Sequence, residues 1–91
     1  MIDVTERARQ ELKKIATEKV DMPQARLRLI ANDKGGLGLA IDIEASGDQV
    51  VDYQGSKVLI VEPRLAANLK GVTLDVDDTS EGAELVICEK T

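Results

Sequence analysis

Apolar positions follow two different periods along this chain. Over residues 5–19, Val4, Ala8, Leu12, Ile15 and Ala16 recur at helical spacing while Arg7, Glu11, Lys14 and Glu18 take the opposite face. One amphipathic helix is predicted there. Thr5 suits its N-cap, because the hydroxyl accepts a backbone N–H of the first turn, and Glu6 suits the positive helix end. Asp21 and Pro23 close the segment, since the residue before a proline is pushed out of helical angles.

The period then becomes two. Leu27, Leu29 and Ala31 alternate with Arg26, Arg28 and Ile30, and Leu39, Ile41 and Ile43 alternate with Ala40, Asp42 and Glu44. An antiparallel register with Leu29 opposite Ile41 and Leu27 opposite Ile43 also sets Arg28 against Asp42 and Arg26 against Glu44. A slip of one residue would oppose Leu29 and Asp42, so matching of character favours the first pairing. A second hairpin spans residues 49–53 and 56–60 around Gln54-Gly55, with glycine supplying positive φ. Its expected pairs are Val51 with Val58 and Asp52 with Lys57. Pro63 opens a short helix over residues 64–69, and Gly71 follows its end. Val72, Leu74 and Val76 alternate as another strand, and residues 83–88 form the last, for which two registers fit equally. No strand–helix–strand alternation suggests a parallel sheet. The expectation is one α+β domain over residues 1–91: an N-terminal helix, mostly antiparallel strands in a small β-sandwich-like core, and a short second helix.

Composition narrows what this domain can do. Apolar residues make up 43% of the chain and charged residues 32%, as in ordinary soluble domains. The longest apolar run, Val58-Leu59-Ile60-Val61, is far short of the roughly 20 residues of a membrane span. The opening Met1–Glu6 has neither a basic nor an apolar signal region, and a lone cysteine excludes an internal disulfide, so a cytoplasmic location is expected. A net charge of −5 opposes attraction to phosphate backbones. Tyr53 is the one aromatic residue, which removes stacking platforms for bases. Nucleic acid and membrane are therefore not expected partners. An aliphatic core without Phe or Trp is adequate rather than generous, and a homodimer would supplement it.

Few residues offer chemistry. The chain has no histidine, and no serine or cysteine sits in a recognisable nucleophile setting, so no catalytic residue and no enzyme are expected. Gly35-Gly36-Leu37-Gly38 fails as a dinucleotide loop, because Ile41 stands where a third glycine belongs and a strand follows. It is either a plain strand connection or a ligand- or partner-contacting loop on a rigid scaffold. Asp75, Asp77, Asp78, Glu81 and Glu84 could gather a hard cation, but their spacing is not that of a calcium loop, and a solvated strand face is simpler. Asp42 and Glu44 are better explained as partners of arginines than as an acid/base pair, since a cation favours their charged form. Cys88 has an alternation that leaves its direction open. The simpler expectation is a buried, small apolar residue.

The stretch from Leu27 to Gly38, Leu27-Arg28-Leu29-Ile30-Ala31-Asn32-Asp33-Lys34-Gly35-Gly36-Leu37-Gly38, resembles the ligand loop of the HesB/IscA-like family, the A-type iron–sulfur carriers. Further blocks are similar in the same order: Val4-Thr5-Glu6-Arg7-Ala8, Gly47-Asp48-Gln49-Val50-Val51, Gly55-Ser56-Lys57-Val58-Leu59-Ile60-Val61 and Gly71-Val72-Thr73-Leu74-Asp75. The resemblance implies a HesB-like fold and kinship with iron–sulfur cluster assembly. It also implies three ligand cysteines, one in the glycine loop and two in a C-terminal Cys-Gly-Cys. Gly36 takes the place of the first, Leu37 replaces the small polar residue after it, and Thr91 is reached before the second pair. Clusters are held by cysteine thiolates. The expectation is a degenerate member: a small acidic, non-enzymatic binding or accessory module with no cofactor and no metal site. Its contact loop is Gly35, Gly36, Leu37 and Gly38, and its partners are iron–sulfur assembly or client proteins. Two alternatives stand beside it. One is a metal or cluster carrier using Cys88 with ligands from a dimer mate or partner. The other is a small-molecule binder using the vacated ligand pocket.

Overall fold

The structure, a computed structural model, describes residues 2–31, 36–80 and 82–89, the last without the side chain of Glu89. The order is β1 (Asp3–Val4), α1 (Glu6–Lys19), β2 (Ala25–Ala31), β3 (Leu37–Ile43), β4 (Gln49–Tyr53), β5 (Ser56–Val61), α2 (Pro63–Asn68), β6 (Val72–Thr79) and β7 (Gly82–Glu89). The strands form two sheets, one ordered β1-β6-β7 and the other β3-β2-β5-β4. With two helices and mostly antiparallel strands, this is the α+β architecture expected. It carries two parallel contacts that the pattern did not suggest, β1 with β6 and β2 with β5.

Helix α1 begins as anticipated, with the Thr5 hydroxyl accepting the Ala8 N–H at 3.1 Å. Its Ala8 and Leu12 are fully buried. They share one core with Leu27 and Leu29 of β2, Leu59 of β5 and Leu74 of β6, so the helix joins the two sheets. The Val58–Val61 run is buried throughout. In the turn between β4 and β5, Gln54 and Gly55 both have positive φ, 51° and 80°, the combination a twisted two-residue hairpin requires.

Two registers differ from expectation. Leu29 pairs with Leu39 and Leu27 with Ile41, a slide of two residues that leaves every side chain on its expected face. This register keeps Ala25 opposite Ile43 and Ala31 opposite Leu37, so both strands pair along their whole length. The shift places Arg26 opposite Asp42, and Arg26 donates to the carbonyls of Pro23 and Ala25 instead of meeting Glu44. In the second hairpin Asp52 does face Lys57, but a bulge follows and Val51 faces Leu59, not Val58. β5 lies inside the sheet between β2 and β4, and its consecutive Val58, Leu59, Ile60 and Val61 are all buried, so both of its faces are covered. The last strand, left open by the sequence, pairs antiparallel with β6 from Val72 opposite Glu89 to Thr79 opposite Gly82.

Candidate functional site

A cavity of about 270 Å³ opens between the start of β3 and strand β7. Gly36, Leu37 and Gly38 line one side of it, Leu85, Val86 and Ile87 the other, and Leu29 and Leu74 its floor. Three of the four residues singled out as a contact loop thus border one cavity, and Gly35 lies outside the described residues. The β6–β7 register accounts for part of the aliphatic lining: Leu74 pairs with Ile87 and Val76 with Leu85, so Leu85 and Ile87 share the sheet face of the buried Leu74. Such a lining rewards an apolar occupant through burial of surface, at about 25 cal/mol per Å². It offers no charged side chain.

Cys88 is free and exposed, which overturns the expectation of a buried residue. Alternation in β7 sets Cys88 on the sheet face of Val86 and Glu84, opposite Thr73, and near the strand's end both Cys88 and its neighbour Ile87, 40% exposed on the other face, reach solvent. Among the described residues, no group of three or more His, Cys, Asp or Glu side chains converges as a metal-binding cluster.

The acidic residues divide into separate roles. Asp75 accepts from the Thr5 hydroxyl at 2.7 Å and from the Val76 N–H at 2.8 Å, and these bonds, the hydroxyl first, hold its carboxyl below the usual range. Asp78 pairs with Arg7 at 2.6 Å. Asp77 and Glu84 are exposed, and Glu81 lies outside the described residues. Glu44 pairs with Lys57 at 2.9 Å.

Arg28 reaches Asp42 at 2.8 Å diagonally across the ladder, so that expected ion pair forms despite the shifted register. It also reaches Asp48 at 2.8 Å, a carboxylate that sequence reasoning had not given a role. The Asp48 side chain is only 2% exposed. It accepts from the Ala45 N–H at 2.7 Å, and Arg28 is the main cause of its lowered pKa. The available signal was the Ser46-Gly47-Asp48 turn chemistry between two strands. The network ties β2, the end of β3 and the following turn together, and the lowered pKa of Asp48 is the opposite of what a general acid needs.

No family model matches the chain. A curated protein of Cereibacter sphaeroides, an uncharacterized protein in the nifU 5′ region, is 36% identical over 91 residues, covering 94% of this chain and 84% of its own. Escherichia coli SufA, involved in biosynthesis of iron–sulfur clusters, superposes with a TM-score of 0.74 at 17% identity, covering 97% of this chain and 84% of SufA. IscA, solved with its 2Fe–2S cluster, gives 0.64 at 20% identity over 98% of this chain and 85% of its own. An Aquifex aeolicus protein solved in solution by NMR gives 0.59 at 27% identity, over 97% and 90%. The likeness to SufA and IscA is one of fold. No helix among the described residues is long and apolar enough to cross a membrane.

Proposed function

This chain belongs to the HesB/IscA-like family, and from that membership we propose that it is a non-enzymatic, single-domain cytoplasmic module of iron–sulfur cluster assembly that does not ligate a cluster by itself. Its contact surface is the loop Gly35, Gly36, Leu37 and Gly38 with the cavity beside it, and its partners are assembly or client proteins.

The observation that carries this reading is the chemistry of the cavity wall. A cluster is cargo for a carrier, and thiolates must hold it. The position that resembles the family's loop cysteine is Gly36, which borders a cavity of leucine, isoleucine and valine. That donor set does not fit iron. The 91 residues contain one cysteine, and it lies on the other face of β7 from Leu85 and Ile87.

The exposure of Cys88 favours one second reading, a carrier that assembles its ligands from Cys88 and a dimer mate or partner. Anaerobic reconstitution with ferrous iron and sulfide separates the two. The first reading expects no stoichiometric visible chromophore. A chromophore that disappears in Cys88→Ala supports the second. A rise in melting temperature with an apolar compound would assign the cavity a small-molecule occupant.

A further inference from the structure

Arg26 holds the one buried side-chain donor left without a partner among the described residues. Its Nη1 donates to the carbonyls of Pro23 at 2.7 Å and Ala25 at 2.9 Å, while Nε is closed to water and bonds to nothing. A buried donor left unmet is costly, and sites that carry one are commonly completed by a water or a ligand. Acid is not in short supply: the chain has 17 acidic residues against 12 basic ones, and Asp42 stands across the ladder from Arg26. Asp42, however, is taken by Arg28 at 2.8 Å and by the Ile43 N–H at 2.7 Å.

Arg26 lines a groove of about 240 Å³ between the second half of α1 and the starts of β2 and β5. Lys13 and Lys57 line it too, and among the described residues no carboxylate does. Lys13 is held by the Gln54 amide oxygen at 3.3 Å and by the Tyr53 ring, not by an acid. Lys57 pairs with Glu44 at the surface, a contact of the kind that is weak and easily exchanged. In a chain of net charge −5, three cations around one groove invert the local charge. Between them the lining is apolar: Ala16, Val20 and the buried Val58, with Met22, which is 59% exposed.

We propose that this groove takes an acidic segment of a partner protein, with one carboxylate on the Nε–Nη2 edge of Arg26 and an adjoining aliphatic side chain against Val20 and Met22. That edge offers a carboxylate two parallel bonds, and Nη1 is already fixed, so the guanidinium is oriented in advance. Nε opens to the ligand by a side-chain shift, for which the exposed, unbranched Met22 in the same groove gives room. Lys13 and Lys57 add attraction at longer range. The apolar lining selects a peptide over a bare inorganic anion, because only the peptide gains by burying aliphatic surface. Nucleic acid is opposed by the overall charge. The groove shares no lining residue with the aliphatic cavity, so this inference and the proposed assembly role stand or fall separately.

The test titrates a labelled, end-capped peptide of glutamate, leucine and serine into the full chain at low salt, with its glutamine counterpart as control. Saturable binding of the glutamate peptide is expected, weakening as salt rises, with NMR amide shifts at Thr17, Ala25 and Ser56 and not at Gly36 or Gly38. Arg26→Gln is expected to weaken binding at least about tenfold, as loss of a charge-assisted pair does. Should that variant fail to fold, Lys13→Gln with Lys57→Gln is expected to weaken it about threefold. Glu44→Gln releases Lys57 and is expected to tighten binding about twofold, which a merely structural role for these residues would not produce. The proposal is overturned by absence of saturable binding, by equal binding of the glutamine peptide, by unchanged affinity in folded Arg26→Gln, or by shifts confined to the glycine loop. Inorganic phosphate or a single-stranded oligonucleotide that binds more tightly than the peptide would also overturn it and assign the groove to a phosphate ligand.

Discussion

The four-stranded sheet has one edge under cover and one in the open. At β4 the strand is short and its ladder with β5 is interrupted by a bulge. Arg9 of α1 donates to the Asp52 carbonyl at 2.9 Å, Lys13 lies 5.8 Å from the Tyr53 ring centroid, and the Gln49 amide clasps both backbone groups of Ile2 at 2.9 and 3.0 Å. At β3 the ladder is regular, and Ile41 and Ile43 project half-exposed. The helix side holds the molecule together. The other side, where β3, the glycine loop and β7 border an aliphatic cavity, has surface to spare for contact. Stabilising contacts are concentrated at the covered edge, and under the proposed function contact with partners falls at the other.

Substitutions on the two sides should therefore differ in size. Leu59→Ala, at a fully buried site beneath α1, is expected to cost about 3 kcal/mol of unfolding free energy through lost burial and an unfilled cavity, read by denaturant titration. If it costs no more than Ile41→Ala, the contrast is void. Asp48→Asn comes next, at about 2 kcal/mol, because it removes a charge-assisted bond to Arg28 from a buried carboxylate. Its effect carries a pH signature. Since the folded pKa is lowered, the contribution is complete above the unfolded carboxylate range and fades as pH falls from about 5 through the depressed value. The stability gap between wild type and Asp48→Asn should close on acidification, and a gap that widens would rule out this role for the pair.

Thr5→Ala should cost about 1 kcal/mol by uncapping α1. Ile41→Ala, measured at a dilution where any dimer has separated, should stay within about 0.5 kcal/mol of wild type, the range of surface substitutions. The smallest effect belongs to Cys88. Its thiol should react with a disulfide reagent as fast in the folded protein as in denaturant, and a much slower folded rate would return it to the interior.

The sequence made much of this legible and stopped at identifiable points. Helix α1 could be read to its cap, because Thr5 and the spacing of Ala8, Leu12 and Ile15 are local signals. Strand faces were legible for the same reason. Register was not: a slide of two residues preserves the face of Leu27 and Leu29, so alternation cannot detect it, and the long reach of Arg28 satisfied Asp42 in either arrangement. The bulge at Val58 was hidden because a run of four apolar residues has no period. Parallel contacts of β1 and of β2 depend on distant segments and leave no mark on local sequence. For the candidate site, the glycine loop was visible as composition. Its neighbours Leu74 and Ile87 were visible only as core-like residues, because the register that brings β7 to the loop was undecided.

The proposed function rests on the cavity beside Gly36, whose described lining is aliphatic and holds no cysteine. Iron and acid-labile sulfide should be quantified in native protein purified without oxygen. Both are expected well below one atom per chain or per dimer, and a stoichiometric iron–sulfide content would rule out the proposed function.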